Sequence, residues 1–254
     1  MERGLYLYCI AEGNDKITLG NIGIDNSEVY TIPCEDLCAI VHKCPSEPYK
    51  SEDNEVVKKW VMAHQKVIDI AWERFGTVLP LGFDTIIKGE EGIEPEENMK
   101  NWIRDDYKNL KQKFAKVRDR AEYGVQVFWD FMVIVEKIIE NNPEIKKLNE
   151  EIKSKSKGLA YMYKQKLENL LKGEVEAEAE RYFRDFYERI KRYADETKVE
   201  KIKKSEEGKQ MLMNLSCLLP KDKSKVLGDE LEKINNTEGF FVRFTGPWPP
   251  YSFV

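Results

Sequence analysis

The chain has little that could cross a membrane or run a reaction. Its most apolar stretch, Phe128-Trp-Asp-Phe-Met-Val-Ile-Val135, is broken by Asp130 and far shorter than a bilayer requires, so no membrane span is expected. Met1-Glu-Arg-Gly leads directly into a strand pattern without the apolar stretch of a secretory signal, which places the expected location in the cytosol. There the five cysteines, an odd and scattered set, read as thiols and not as a disulfide framework. Charge of one sign is also missing: 41 Lys+Arg stand against 46 Asp+Glu, a net of −5, with no overall basic footprint for nucleic acid. Histidine occurs twice, and no phosphate loop, dinucleotide fingerprint or zinc-protease helix is present. No catalytic residue, cofactor or metal is therefore assigned.

What is present is a helix-rich mixed pattern. Leu5 to Ala11, Ile17 to Leu19, Val29 to Ile32 and Leu37 to Lys43 are short apolar runs between Gly, Asn, Asp and Pro, and they predict strands. From Asn54 to Phe75 the period changes to that of an amphipathic helix, closed by Gly76. Thr77 to Phe83 is extended, with Pro80 requiring a strand end, an edge or a bulge. A second helix is predicted from Pro95 to Asp119, a strand from Glu122 to Asp130, and a short helix from Met132 to Glu140. Ser156 to Tyr193 is a charged helical stretch interrupted by Gly173; unbroken it would reach roughly 55 Å, so it is expected to project or to fold back at the glycine. Lys198 to Lys209 reads as a solvated connector, followed by strand (Met211 to Leu219), helix (Lys221 to Ile234) and strand (Gly239 to Thr245).

This order predicts an α+β chain of two domains, 1–120 and 121–254. The second is expected to be a modified ferredoxin-like α/β sandwich with long helices at about 156–196.

Four groups of residues invite a functional reading. Cys34, Cys38, His42 and Cys44 are zinc-ligand types, but along one strand residues 38 and 42 lie about 13 Å apart and residues 42 and 44 about 6–7 Å, whereas tetrahedral ligands converge on one point. His64 lies on the apolar stripe of the first helix with no carboxylate on its own face, the setting of a satisfied buried histidine. The end of the chain, Gly246-Pro-Trp-Pro-Pro-Tyr-Ser-Phe-Val254, combines three prolines with three large aromatics, a stiff segment expected to run extended and be held. It either seals the protein's own core or docks a partner. The same two readings apply to the aromatic stripe Tyr182, Phe183, Phe186, Tyr187 and Tyr193. Trp248, Tyr251, Phe253, Tyr182 and Phe186 are the candidate partner-binding residues.

Five separated stretches resemble one family in order: Leu5-Tyr-Leu-Tyr; His64-Gln-Lys-Val with Val78-Leu-Pro and Phe83; Glu122-Tyr-Gly-Val125; Gly158-Leu-Ala-Tyr161 with Lys164; and the tail. The pattern is similar to that of the GvpF/GvpL gas vesicle synthesis proteins, without choosing between the two branches. The chain departs from it at Gly82-Phe-Asp-Thr85, where the family commonly shows Arg-Phe-Gly-Thr. The resemblance implies a non-enzymatic accessory protein, cytoplasmic before assembly and a minor gas vesicle component. Its implied partners are the shell protein GvpA and other gas vesicle accessory proteins; it would bind GvpA and limit its aggregation during nucleation. The competing class is a ligand-binding regulator or enzyme on a ferredoxin-like scaffold, which a deep pocket with converging polar groups would favour. An RNA-binding sheet would require stacked aromatics and lysines on one open face.

Overall fold

The computed structural model describes residues 3–90, 92–154, 156–202 and 209–254. It is a mixed helix-and-sheet chain that divides into two compact units, one of residues 1–122 with 247–254 and the other of residues 123–246.

In the first unit, β1 (Arg3–Glu12), β2 (Thr18–Gly20), β3 (Val29–Cys34), β4 (Leu37–Pro45) and β5 (Val78–Pro80) form a sheet in the order β2-β3-β4-β1-β5, and β6 (Ile86–Lys88) also pairs with β1. β5 and β6 follow one another along a single edge of β1, at Cys9–Ala11 and Gly4–Tyr6 respectively, so the intervening loop 81–85 bows out beside Tyr6 and Tyr8. Pro80 ends β5 on the outer edge, the position open to a residue without an amide hydrogen. Residues 4–11 of β1 are all buried, which a strand achieves only when both its faces are covered.

The cover comes from helices α1 (Asn54–Phe75), α2 (Pro95–Asp105) and α3 (Tyr107–Val117). Asp53 caps α1 by accepting the Glu55 amide, and Gly76, at φ +75, ends it. The single helix predicted for 95–119 is in fact two, parted at Asp106 (φ −97, ψ 7). Its apolar stripe nevertheless runs on through Met99, Ile103, Leu110, Phe114 and Val117, all buried, and this continuity hides the break from a periodicity argument.

The second unit holds β7 (Arg120–Asp130), α4 (Phe131–Asn141), α5 (Pro143–Ile152), α6 (Lys157–Lys191), β8 (Glu196–Val199), β9 (Lys209–Pro220), α7 (Ser224–Asn235) and β10 (Phe240–Trp248). The first residues of β7 and the last of β10 belong to the first unit. The four strands lie in the order β10-β7-β9-β8. Asp130 caps α4 by accepting the Met132 and Val133 amides, and Asn142 caps α5 in the same way, with Pro143 at its first position.

Three expectations are corrected here. Gly173 does not interrupt α6, which is continuous over 35 residues, about 52 Å at 1.5 Å per residue. A lone exposed glycine costs a helix only about 1 kcal/mol against alanine, and the flanking Leu, Lys and Glu residues favour the helical state. The segment read as a connector, 198–209, is entered by a strand: β8 (Glu196–Val199) runs into its first two residues and pairs antiparallel with β9 from Glu196↔Leu218 to Val199↔Leu215, and residues 203–208 lie outside the described residues. The tail is extended only as far as Trp248, after which Tyr251–Phe253 closes into a single 3₁₀ turn.

Candidate functional site

Both histidines of the chain meet in one buried cluster of the first unit, and a strand irregularity brings them there. β1 pairs with β4 as Leu7↔Val41 and then as Cys9↔Ile40, which leaves Tyr8 as the extra residue of a bulge. The Tyr6 and Tyr8 rings lie 4.8 Å apart, and each is within 6 Å of both His42 and His64. His64 Nε2 is 3.2 Å from the Leu81 carbonyl oxygen, which can only accept; Nε2 therefore carries the proton and Nδ1 accepts from the Tyr6 hydroxyl at 3.0 Å. That hydroxyl in turn accepts the Asp84 amide at 2.9 Å.

His42 is held likewise between the hydroxyls of Tyr8 (2.8 Å, at Nδ1) and Tyr49 (3.0 Å, at Nε2). Burial pushes both imidazoles down to about 4, so they are neutral at pH 7. Burial also raises the phenols of Tyr6 and Tyr8 well above their ordinary range, and lifts Tyr49 to about 12.

The cluster clamps loop 81–85. Phe83 sets its ring against Tyr6 and His64, and Asp84 sits at φ +69 while its carboxylate accepts the Tyr49 amide at 2.9 Å. This left-handed position is where the family pattern carries glycine; aspartate is one of the few residues that tolerates it. No carboxylate hydrogen-bonds either imidazole among the described residues; their partners are the hydroxyls of Tyr6, Tyr8 and Tyr49 and the Leu81 carbonyl. Of the zinc-type residues, His42 has both ring nitrogens engaged by tyrosines, while Cys34, Cys38 and Cys44 are buried thiols whose pKa burial raises.

The tail is fixed onto the first unit at Glu122. This carboxylate, buried at the start of β7, accepts the Ser252 amide at 2.7 Å and the Ser252 hydroxyl at 2.6 Å. Lys116 lies 5.6 Å from the centre of the Phe253 ring and donates to the Phe253 carbonyl at 3.3 Å. Pro249, Pro250 and Phe253 are buried; Trp248 is 39% exposed; the Tyr251 hydroxyl is buried with no hydrogen-bond partner among the described residues.

On α6, Phe186 is buried against Phe240, and Tyr182 is half-buried over the same ring at 4.6 Å. Phe183 and Tyr187 stack on each other at 6.0 Å. Of the five candidate partner-binding residues, Phe186 and Phe253 are thus enclosed by the chain's own packing, and Trp248 keeps the most open surface. The candidate list leaves out the other end of α6, where Leu159, which begins the helix's apolar stripe, and Tyr161 and Met162 are 50%, 64% and 65% exposed. An apolar excess with nothing opposite it in sequence was the available signal.

Two clefts among the described residues are open to the surface. One of about 370 Å³ lies between α4, α5 and α6, lined by Ile138, Asn142, Glu174, Glu178, Arg181 and Tyr182; Glu178 is paired with Arg181 and Glu174 accepts from Asn142. Another, of about 610 Å³, lies beside Leu5, Tyr30, Lys43 and Glu96. Asp69, the carboxyl that burial holds above its ordinary range, lines neither. No described helix is long and apolar enough to cross a membrane.

With this geometry in hand, similarity to known proteins is informative. Gas vesicle protein L1 of Halobacterium salinarum is 28% identical over 263 residues, spanning 100% of this chain and 91% of that protein. Gas vesicle protein F of Nostoc sp. is 23% identical, spanning 100% and 99%. The crystal structure of GvpF from Anabaena sp. superposes with a TM-score of 0.78 at 22% identity over 98% of this chain and 97% of that one, and GvpF from Microcystis aeruginosa with 0.67 at 23% over 98% of each. These two establish the fold alone. The family model for gas vesicle synthesis protein GvpL/GvpF matches residues 4–254, essentially the whole chain, and the protein belongs to that family.

Proposed function

We propose that this protein is a non-catalytic accessory factor of gas vesicle assembly that binds the shell protein GvpA and limits its aggregation while a vesicle nucleates. Membership of the GvpL/GvpF family supports a role in gas vesicle formation. The binding role rests on one observation: the first turns of α6 display Leu159, Tyr161 and Met162 to solvent, and Trp248 does the same at the tail. A subunit of a gas-facing wall carries apolar surface, which favours premature association in water, and apolar patches on a second protein can cover it until a nucleus forms. Tyr182 and Tyr251, each half-buried, are further proposed contact residues, whereas Phe186 and Phe253 are enclosed by packing within their own units.

On this reading the protein is cytoplasmic before assembly and a minor component of the vesicle, among other accessory proteins. The element order of the second unit, strand, helices, two strands, helix, strand, with β10-β7-β9-β8 in the sheet, supports reading it as a ferredoxin-like domain whose first crossover is enlarged by α4, α5 and α6. Deleting the gene in a vesicle-forming host tests the role: buoyant vesicles should be lost or sharply reduced, and a normal yield of normal vesicles would refute it.

A further inference from the structure

The outer strand of the second sheet carries a second, chemically different surface. β10 is at the end of the sheet, with β7 on one side only. The Val242 amide donates to the Asn235 side chain at 3.0 Å and not to a strand, so it points away from β7; the period of two places the Phe244 amide on the same open edge. Phe240 turns to the helix side, against Tyr182 and Phe186. Phe241 and Arg243 therefore face the other way, and the cations of this corner gather there. Lys209 Nζ lies 3.6 Å from the centre of the Phe241 ring, and the Arg243 guanidinium 5.5 Å from that of Phe128. Arg243 is exposed and Phe241 is 38% exposed.

Neither cation has a carboxylate within ion-pair distance among the described residues, although the chain has more acids than bases. Among the described residues, their charge is set over aromatic rings.

We propose that the open edge of β10 receives an extended acidic polypeptide segment as an added strand, with carboxylates from alternate positions set over Arg243 and Lys209. Backbone groups on the edge beyond Val242, whose amide Asn235 already holds, supply the pairing, and the two cations supply the selection. A nucleic acid fits less well. Each ring already has a cation over one face, and the edge offers amides and carbonyls that match another backbone. This proposal is independent of the shell-protein reading, which predicts salt-resistant association through apolar surfaces, whereas this contact weakens with salt.

The test uses the full chain and a fluorescein-labelled peptide of alternating Glu and Val, followed by anisotropy. Saturable binding is expected at about 0.05 M salt and strong weakening at about 0.5 M. The Arg243→Glu/Lys209→Glu variant should bind at least about tenfold more weakly and should bind the Lys-Val counterpart instead. A peptide N-methylated at alternate amides should not bind. Circular dichroism matching that of the parent shows that the variant is folded, and the charge-neutral Arg243→Gln/Lys209→Gln pair should give an intermediate loss. Equal binding of the Glu-Val peptide by the charge-reversed variant, no saturable binding by the parent chain, or preference for a thymidine oligonucleotide would each overturn the proposal.

Discussion

The hydroxyl of Tyr6 lies 3.0 Å from His64 Nδ1 while accepting the Asp84 amide, so one side chain of β1 joins α1 to loop 81–85. The bond requires a neutral imidazole. Burial holds His64 and His42 at about 4 in the folded chain, against an ordinary value near 6.5 when unfolded. Between those values the unfolded chain binds more protons than the folded one, so stability falls as pH drops from about 6.5 to about 4, by at most roughly 3 kcal/mol for each histidine. Urea midpoints at a series of pH values should show this decline. His64→Leu, less stable at neutral pH because Tyr6 loses its acceptor, should show a shallower slope.

At Glu122 the tail is held by two short hydrogen bonds to one carboxylate, and Glu122→Ala should cost roughly 1–3 kcal/mol by removing both of them. The variant's last residues should also be trimmed faster by carboxypeptidase. Unchanged stability together with unchanged trimming would show that the tail is held elsewhere.

Tyr251 gives the opposite expectation. Its hydroxyl is buried without a partner, so Tyr251→Phe should be neutral or stabilising by up to about 1 kcal/mol, whereas Tyr251→Ala should cost roughly 3 kcal/mol or more through lost packing. Thermal melts of the two variants decide this, and a marked loss in the phenylalanine variant would point to a hydrogen bond made in solution.

Two glycines are expected to behave differently. A Cβ at Gly124 would lie 2.7 Å from Thr245 Oγ1 on β10, so Gly124→Ala should destabilise, and Thr245→Ala should recover part of the loss in a double-mutant cycle. A Cβ at Gly173 would meet nothing within 4 Å, so Gly173→Ala should stabilise α6 by about 0.5–1 kcal/mol. Additive effects at 124 and 245, or a loss at 173, would contradict these assignments.

Much of the architecture was legible because hydrophobic period and punctuation agree. The helical period from Asn54 and the stop at Gly76 frame α1, Pro80 stops β5, and His64 on an apolar stripe marks a satisfied buried histidine. What could not be read depended on tertiary context. β8 (Glu-Thr-Lys-Val) has too little apolar character to announce a strand and is made one by pairing with β9. The break at Asp106 leaves the stripe in phase, and the bulge at Tyr8 has no local signature. The candidate surface was legible only by composition: counting aromatics in α6 and the tail could not separate Phe186 and Phe253, which are enclosed, from Trp248 and Tyr161, which are not. Arg243 and Lys209, distant in sequence, are brought to one corner by strand order alone.

The central claim, that this protein holds the shell subunit through apolar contact, is tested most directly by capturing GvpA on the immobilised full chain at about 0.1 M and about 1 M sodium chloride. Capture that persists or strengthens at the higher salt, and that falls when Leu159, Tyr161 and Met162 are together replaced by serine, is the predicted result. Capture abolished by salt, or indifferent to those three substitutions and to Trp248→Ser, would contradict it.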